Sequence, residues 1–186
     1  MRADWKSFTR QRKITSQTWY SHAWGLYAYS FKKSADLVYA EYKKSHHDPY
    51  WFPAVYLYRQ WIELALKSLW VEVNNLDDTI GSVPQIHGLS DLWNPIRSWL
   101  DSHELISIDD DFLPNAERIF VELEKIDPAG TAFRYPPTKI PHADLINFSL
   151  EDFETAIDQV DTLFFGLFRL LDEYAEYLTS MNSGAM

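Results

Sequence analysis

The sequence predicts an all-α protein, an up-down bundle of about five helices in one domain. Five segments of the 186-residue chain place apolar residues at the three- and four-residue spacing of helices that bury one face or more. The last segment keeps this spacing over about four heptads, which is typical of an antiparallel bundle or a helix–helix dimer. A middle segment is apolar on nearly every side, which indicates a buried central helix.

The first predicted helix spans residues 16–45. It follows a basic N-terminal lead, residues 1–15, and belongs to a helical domain that we place at 16–180, before a flexible tail at 181–186. Pro49 ends the helix region because proline disfavours helical geometry in the residue before it. The apolar positions of this helix are Trp19, Ala23, Leu26, Tyr27, Phe31, Leu37, Val38 and Tyr42.

The second predicted helix spans residues 51–73 and is the central one. Pro53 is tolerated because it falls in the first turn. Successive helical residues turn by about 100°, so Arg59, Glu63 and Lys67 lie on one line along an otherwise apolar surface. Charged groups in such a position need partners, since burial of an unpaired charge is costly.

The third and fourth helices follow a polar connection at 74–86. The third begins near Gly88 and contains Pro95, which we expect to kink it unless it lies in the first turn. The fourth follows the three aspartates at 109–111 and reaches Lys125. These aspartates complement a helix N-terminus, and they lack the alternating ligands, glycine and glutamate of a calcium loop.

The fifth helix follows the longest irregular segment, 127–147. Ser149 is the expected N-cap, and Phe148 is positioned to pack against Phe153. We expect Gly166 to lie where a neighbouring helix approaches closely. The heptad positions are Leu150, Phe153, Ile157, Val160, Phe164, Leu167, Leu171, Tyr174 and Leu178.

The charge of the chain is unevenly distributed. Residues 1–47 carry nine Lys or Arg and three acidic residues, whereas the whole chain has a formal charge of −10. The overall charge argues against broad nucleic-acid binding, which needs cations to replace condensed counterions. The asymmetry indicates a basic first region that packs against an acidic surface of the chain, a dimer partner or another protein; a basic edge that faces RNA is the alternative.

Composition excludes several classes of site. The chain has no cysteine, so disulfides and thiolate metal sites are excluded. No metal motif, cofactor fingerprint, phosphate loop or nucleophile elbow is present, and we expect neither a metal nor a cofactor. The N-terminus lacks the apolar core of a signal peptide and no run could span a bilayer, so we expect a cytoplasmic protein without membrane contact. Eight Trp, eleven Tyr and eleven Phe predict an aromatic core and dimer interface.

Two segments carry a resemblance to a known family. Residues 60–67 have the pattern Gln-x-x-Glu-Leu-x-Leu-Lys, and residues 87–92 have His-x-Leu-x-x-Leu. This order resembles the HEPN superfamily of small helical domains, and Phe133-Arg134-Tyr135-Pro136 is similar to an element of some of its members. The resemblance covers about residues 16–180. It implies an all-α, usually dimeric bundle that works around RNA or nucleotides in toxin–antitoxin, CRISPR and antiviral systems.

The same resemblance implies a candidate catalytic pair. HEPN ribonucleases carry an Arg, four to six residues and then a His, which are paired across a dimer, and Arg97 and His103 have this spacing. A cation would stabilise the phosphorane and an imidazole would move protons, without a metal. The segment departs from the family because Ser98 follows the Arg and because it comes earlier in the chain than expected. The alternative is a surface Arg and a helix-ending His at the negative end of the helix dipole.

The remaining polar residues form a predicted binding or structural cluster. It comprises Arg59, Glu63, Lys67, His87, Asp127 and Arg134. We expect Arg134 to anchor its loop by a bidentate pair with Glu63, or with Asp127 as the second candidate, rather than to bind phosphate. Glu63 and Lys67 have the spacing of an i,i+4 ion pair. His87 would cap or hydrogen-bond near the loop.

Two functions therefore stay open. The first is a non-enzymatic or regulatory HEPN-like module that binds a protein, nucleotide or RNA partner, in antiviral defence or a toxin–antitoxin system. The second is a metal-independent endoribonuclease that uses Arg97 and His103. In both cases we expect a homodimer.

Overall fold

The computed structural model describes residues 23–45, 48–106, 112–131, 133 and 149–183. These residues form five α-helices and no strand: α1, Ala23–Ser45; α2, Trp51–Asp77; α3, Leu89–Ser102; α4, Phe112–Ile126; and α5, Leu150–Ser183. A short 3-10 turn, Asp48–Tyr50, leads into α2. The prediction of an all-α bundle is confirmed for the described part of the chain.

Helix α2 is the centre of the bundle. It packs against α1, α3 and α5, and α4 closes the other side by contacts with α3 and α5. Helices α1 and α5 run antiparallel, because Lys32 pairs with Asp161 while the later Lys43 pairs with the earlier Glu154. The buried residues of α2 occur on every side of it between Trp61 and Trp70. The expectation of a buried central helix is therefore confirmed.

Aromatic rings join four of the helices through the core. The Trp61 ring of α2 meets the Phe164 ring of α5 edge-on, with centroids 5.6 Å apart. Phe164 stacks with Phe120 of α4 at 6.4 Å, and Phe120 meets Trp93 of α3 at 5.9 Å. Such ring pairs add stabilisation to the burial of their area. The prediction that the aromatic residues build the core is confirmed for these four.

The helix boundaries follow local signals in most places. Ser149 Oγ accepts a hydrogen bond from the Asp152 backbone N–H at 3.2 Å, so the predicted N-cap of α5 is confirmed. Helix α2 ends one turn later than expected, at Asp77, where Asp78 adopts a left-handed conformation with φ 55° and donates its N–H to the Asn74 carbonyl. The predicted capping aspartates at 109–111 and the Phe148 contact lie outside the described residues.

Pro95 and Gly166 are the two residues within helices for which the sequence predicts a local effect. Pro95 lies in the second turn of α3, and the helix continues beyond it to Ser102. Gly166 lies on an exposed face of α5, and a Cβ added there would meet no atom within 4 Å. The expectation that Gly166 permits a close helix approach is wrong for the described helices, because the heptad seam faces inward and residue 166 falls outside it.

The described helices do not include one with both the length and the apolar character needed to cross a lipid bilayer.

The neighbouring pair Phe164 and Phe165 tests this packing. Phe164 has 3% of its surface exposed, whereas Phe165 has 73%. We expect Phe164→Ala to lower the free energy of unfolding by about 3–5 kcal/mol, because it removes the ring that joins α2, α4 and α5. The matched Phe165→Ala, at an exposed position, should lower it by about 1 kcal/mol or less. Urea unfolding monitored by circular dichroism measures both; equal losses would contradict the arrangement.

Candidate functional site

The charged line on α2 is buried inside the bundle. Arg59, Glu63 and Lys67 have only 1%, 2% and 5% of their surface exposed. The i,i+4 spacing lets Glu63 reach both cations on the same helix face. The line is therefore an internal ion cluster and does not lie on the surface of the bundle.

Glu63 is the hub of this cluster. Its Oε1 accepts a hydrogen bond from Lys67 Nζ at 2.8 Å and lies 3.0 Å from His87 Nδ1. Its Oε2 accepts one from Arg59 Nη1 at 3.3 Å. Both carboxylate oxygens are thus engaged, which is the condition under which a buried charge is tolerated.

The pKa of Glu63 reflects this competition. Burial raises it, but hydrogen bonds from Lys67 and His87 and the positive charges of Lys67 and Arg59 outweigh burial, so the pKa lies below its ordinary value. Burial lowers the pKa of Arg59, against the attraction of Glu63 and Asp127. Because the pKa of Glu63 is depressed, its contribution to stability is present above the ordinary carboxyl pKa and is lost as the pH falls through the folded value.

Arg59 connects the cluster to the segment before α3. Its Nη2 donates a hydrogen bond of 2.5 Å to the His87 carbonyl oxygen. The same His87 bonds Glu63 through its ring, so α2 fixes both the backbone and the imidazole of this residue. The His87 side chain is nevertheless 61% exposed. It is the solvent-facing member of an otherwise buried cluster.

The turn after α4 covers the cluster. The Asp127 carboxylate, which is buried, accepts a hydrogen bond from the Thr131 backbone N–H at 2.8 Å and lies near enough to Arg59 to affect its pKa. Gly130 has a φ of 65°, and a Cβ there would lie 3.5 Å from Glu63 Oε2 and 3.7 Å from Arg59 Nη2. A Cβ would make only ordinary contacts at these distances, so it is the left-handed backbone of the turn that favours glycine at this position. Arg134 lies outside the described residues, so its expected pairing with Glu63 or Asp127 stays a prediction.

The predicted catalytic residues Arg97 and His103 bond different carboxylates. Arg97 Nε donates to Asp101 Oδ2 at 2.9 Å. His103 Nε2 lies 3.3 Å from Asp77 Oδ2, at the end of α2. Six residues turn a helix by about 240°, so Arg97 in α3 and His103 at its C-cap point in different directions.

His103 also stacks on aromatic rings. Its ring lies 4.2 Å from the Trp99 ring and meets the Tyr174 ring edge-on at 6.0 Å. Asp77 further accepts a hydrogen bond from Trp99 Nε1 at 2.6 Å. Burial raises the pKa of Asp77, but hydrogen bonds from Thr79 and Trp99 and the charge of His103 lower it below its ordinary value. These contacts tie the ends of α2, α3 and α5 together.

Sequence reasoning missed two carboxylates with defined roles. One is Asp77, described above. The other is Glu124 of α4, which accepts hydrogen bonds from the Ser90 backbone N–H at 2.9 Å and the Ser90 hydroxyl at 2.5 Å, and so caps the start of α3. Neither has a sequence signal, because each acts on a helix distant in the chain. The described residues hold no group of three or more His, Asp or Glu side chains placed to bind a metal ion.

Comparison of the chain with protein-family models, with curated proteins and with solved structures gave no match.

Removal of the hub tests the cluster. Glu63→Ala should lower the free energy of unfolding by about 3–5 kcal/mol, because it leaves two buried cations without their carboxylate. Glu173 offers a matched control, since it forms an i,i+4 pair with Arg169 at 2.8 Å in which the two side chains are 60% and 70% exposed. Glu173→Ala should change the free energy by less than about 0.5 kcal/mol. Chemical denaturation measures both, and a loss below about 1 kcal/mol for Glu63→Ala would contradict a buried hub.

Proposed function

We propose that this chain is a HEPN-like, non-enzymatic module that acts by binding a partner, and that the partner is a protein. The observation that carries the proposal is the separate engagement of Arg97 and His103, which bond Asp101 and Asp77. A cleaving pair, whether it comes from one chain or from the two chains of a dimer, must present a cation and an imidazole to one phosphodiester group. From the resemblance to HEPN domains we further propose that the chain forms a homodimer and acts in antiviral defence or a toxin–antitoxin system.

A protein partner fits the charge of the molecule better than RNA does. The formal charge is −10, and a nucleic-acid surface needs Lys and Arg to displace counterions. The long cations Arg59 and Lys67 are buried and already paired with Glu63. Neither is therefore available to a phosphate at the surface.

His87 favours a second candidate, a metal-independent endoribonuclease. An exposed imidazole whose Nδ1 is bonded to a buried carboxylate has a fixed orientation and can exchange protons with a ligand through its other nitrogen. This arrangement is independent of Arg97 and His103. A test of enzymatic activity therefore has to include both histidines.

An RNA assay in EDTA separates the two candidates. Wild-type protein, Arg97→Ala/His103→Ala and His87→Ala are incubated with structured and single-stranded RNA, and intact RNA is followed by gel electrophoresis. We expect the wild-type protein to leave the RNA intact. We also expect it to cause no gel shift of RNA at about 150 mM salt, because the acidic chain has few cations to displace counterions. Cleavage that is lost in either variant would establish the ribonuclease and overturn the proposal. Cleavage that is equal in all three proteins would indicate a contaminating nuclease, which repurification removes before the assay is read.

A further inference from the structure

A groove of about 560 Å³ lies between α1 and α5, and α2 forms its floor. Trp61 and Ala65 of α2 line the floor. Tyr29 of α1 and Phe165 of α5 stand at the sides, with 50% and 73% of their surfaces exposed. The groove therefore offers aromatic surface that can be covered by a bound chain segment.

Acidic side chains surround this aromatic surface. Glu72, Asp161 and Asp172 line the groove, and Lys32 is the one basic residue among its described lining. Lys32 already pairs with Asp36 at 2.8 Å and with Asp161 at 3.5 Å. Its positive charge is thus shared between carboxylates, and the groove favours an occupant that is basic.

The segment that precedes α1 has this chemistry. Residues 1–22 contain five basic residues and one acidic residue, together with Trp5, Phe8, Trp19 and Tyr20. Cationic and aromatic side chains complement a groove of carboxylates and exposed rings, since salt bridges, cation–π contacts and ring contacts can form together.

The first described residues, which follow this segment directly, lie beside the groove. Helix α1 begins at Ala23, and Gly25 in its first turn lines the groove. The part of α5 from Asp161 to Asp172 spans roughly 16 Å at 1.5 Å per residue. About five residues of extended chain cover that distance, so residues 1–22 are long enough to follow the groove from its α1 end.

We propose that the basic segment 1–22 of the chain binds intramolecularly in the acidic groove between α1 and α5. It covers Tyr29 and Phe165 and places basic side chains against Asp161 and Asp172. A basic protein partner that uses this face then has to displace the segment. This binding does not depend on the resemblance to HEPN domains or on the absence of ribonuclease activity.

A second copy of the chain is a weaker occupant. Two grooves placed face to face would bring the acidic residues of both copies together, which is unfavourable. Exchange of the basic segments between two copies avoids this repulsion. The dependence of protection on protein concentration distinguishes such an exchange from intramolecular binding.

Limited chymotrypsin digestion of the full chain tests the proposal. The protease can cut after Trp5, Phe8, Trp19 and Tyr20, and mass spectrometry assigns each cut. We expect Asp161→Lys/Asp172→Lys to speed cleavage within 1–22 by about fivefold or more, because cleavage follows the unbound fraction of the segment. Glu173→Lys/Glu176→Lys changes the charge equally on α5 outside the groove lining and should leave the rate unchanged. If the double lysine variant folds poorly, Phe165→Ser provides the test instead. It should also speed cleavage, and it leaves the charge unchanged.

Charge reversal on both sides sharpens the result. Arg10→Glu/Arg12→Glu should speed cleavage after Trp19 and Tyr20 in the wild type and restore protection in the Asp161→Lys/Asp172→Lys background. Equal cleavage rates in the wild type and all groove variants would overturn the proposal. Equal acceleration by Glu173→Lys/Glu176→Lys would also overturn it. So would protection that increases with protein concentration and accompanies a mass of two chains in size-exclusion chromatography with light scattering.

Discussion

The rest of the structure depends on one buried ion cluster. In it the carboxylate of Glu63 is bonded by Arg59, Lys67 and His87 inside the bundle. A charged group with 2% exposure on a central helix is stable only if every oxygen is bonded. This requirement determines what can pack on α2. The segment before α3 supplies a ring nitrogen and a carbonyl, and the turn after α4 places Gly130, which has a positive φ, next to Glu63 and Arg59.

The sequence predicted the parts of the fold that depend on local spacing. The spacing of the apolar residues predicts helices α1 to α5, and Ser149 predicts the start of α5. The i,i+4 spacing of Arg59, Glu63 and Lys67 predicts one polar line on a buried helix. The bonds of Glu63 with His87, of Asp77 with His103 and of Glu124 with Ser90 join residues at least 24 positions apart. Spacing along one helix cannot reveal them, because they depend on how the helices pack. The loop pairing of Arg134 stays a prediction.

The distribution of charge connects the fold to the proposed activity. Among the described cations, Arg59 and Lys67 are buried and Arg97 pairs with Asp101. Acidic residues instead line the exposed aromatic groove between α1 and α5. A surface of this kind favours basic protein segments over nucleic acid. The two histidines differ in their surroundings, since His103 stacks on Trp99 and meets Tyr174 edge-on, whereas the His87 side chain is mostly exposed to solvent.

The stability of a triple apolar variant tests the role of the buried cluster most directly. Glu63→Leu, Arg59→Met, Lys67→Met and the combination of all three are compared by urea unfolding. If the three charges stabilise one another mainly by mutual compensation, Glu63→Leu alone is strongly destabilised and the triple variant recovers at least about 1–2 kcal/mol of that loss, because no buried cation is left unpaired. Losses in the single variants that simply add up in the triple variant would contradict the account.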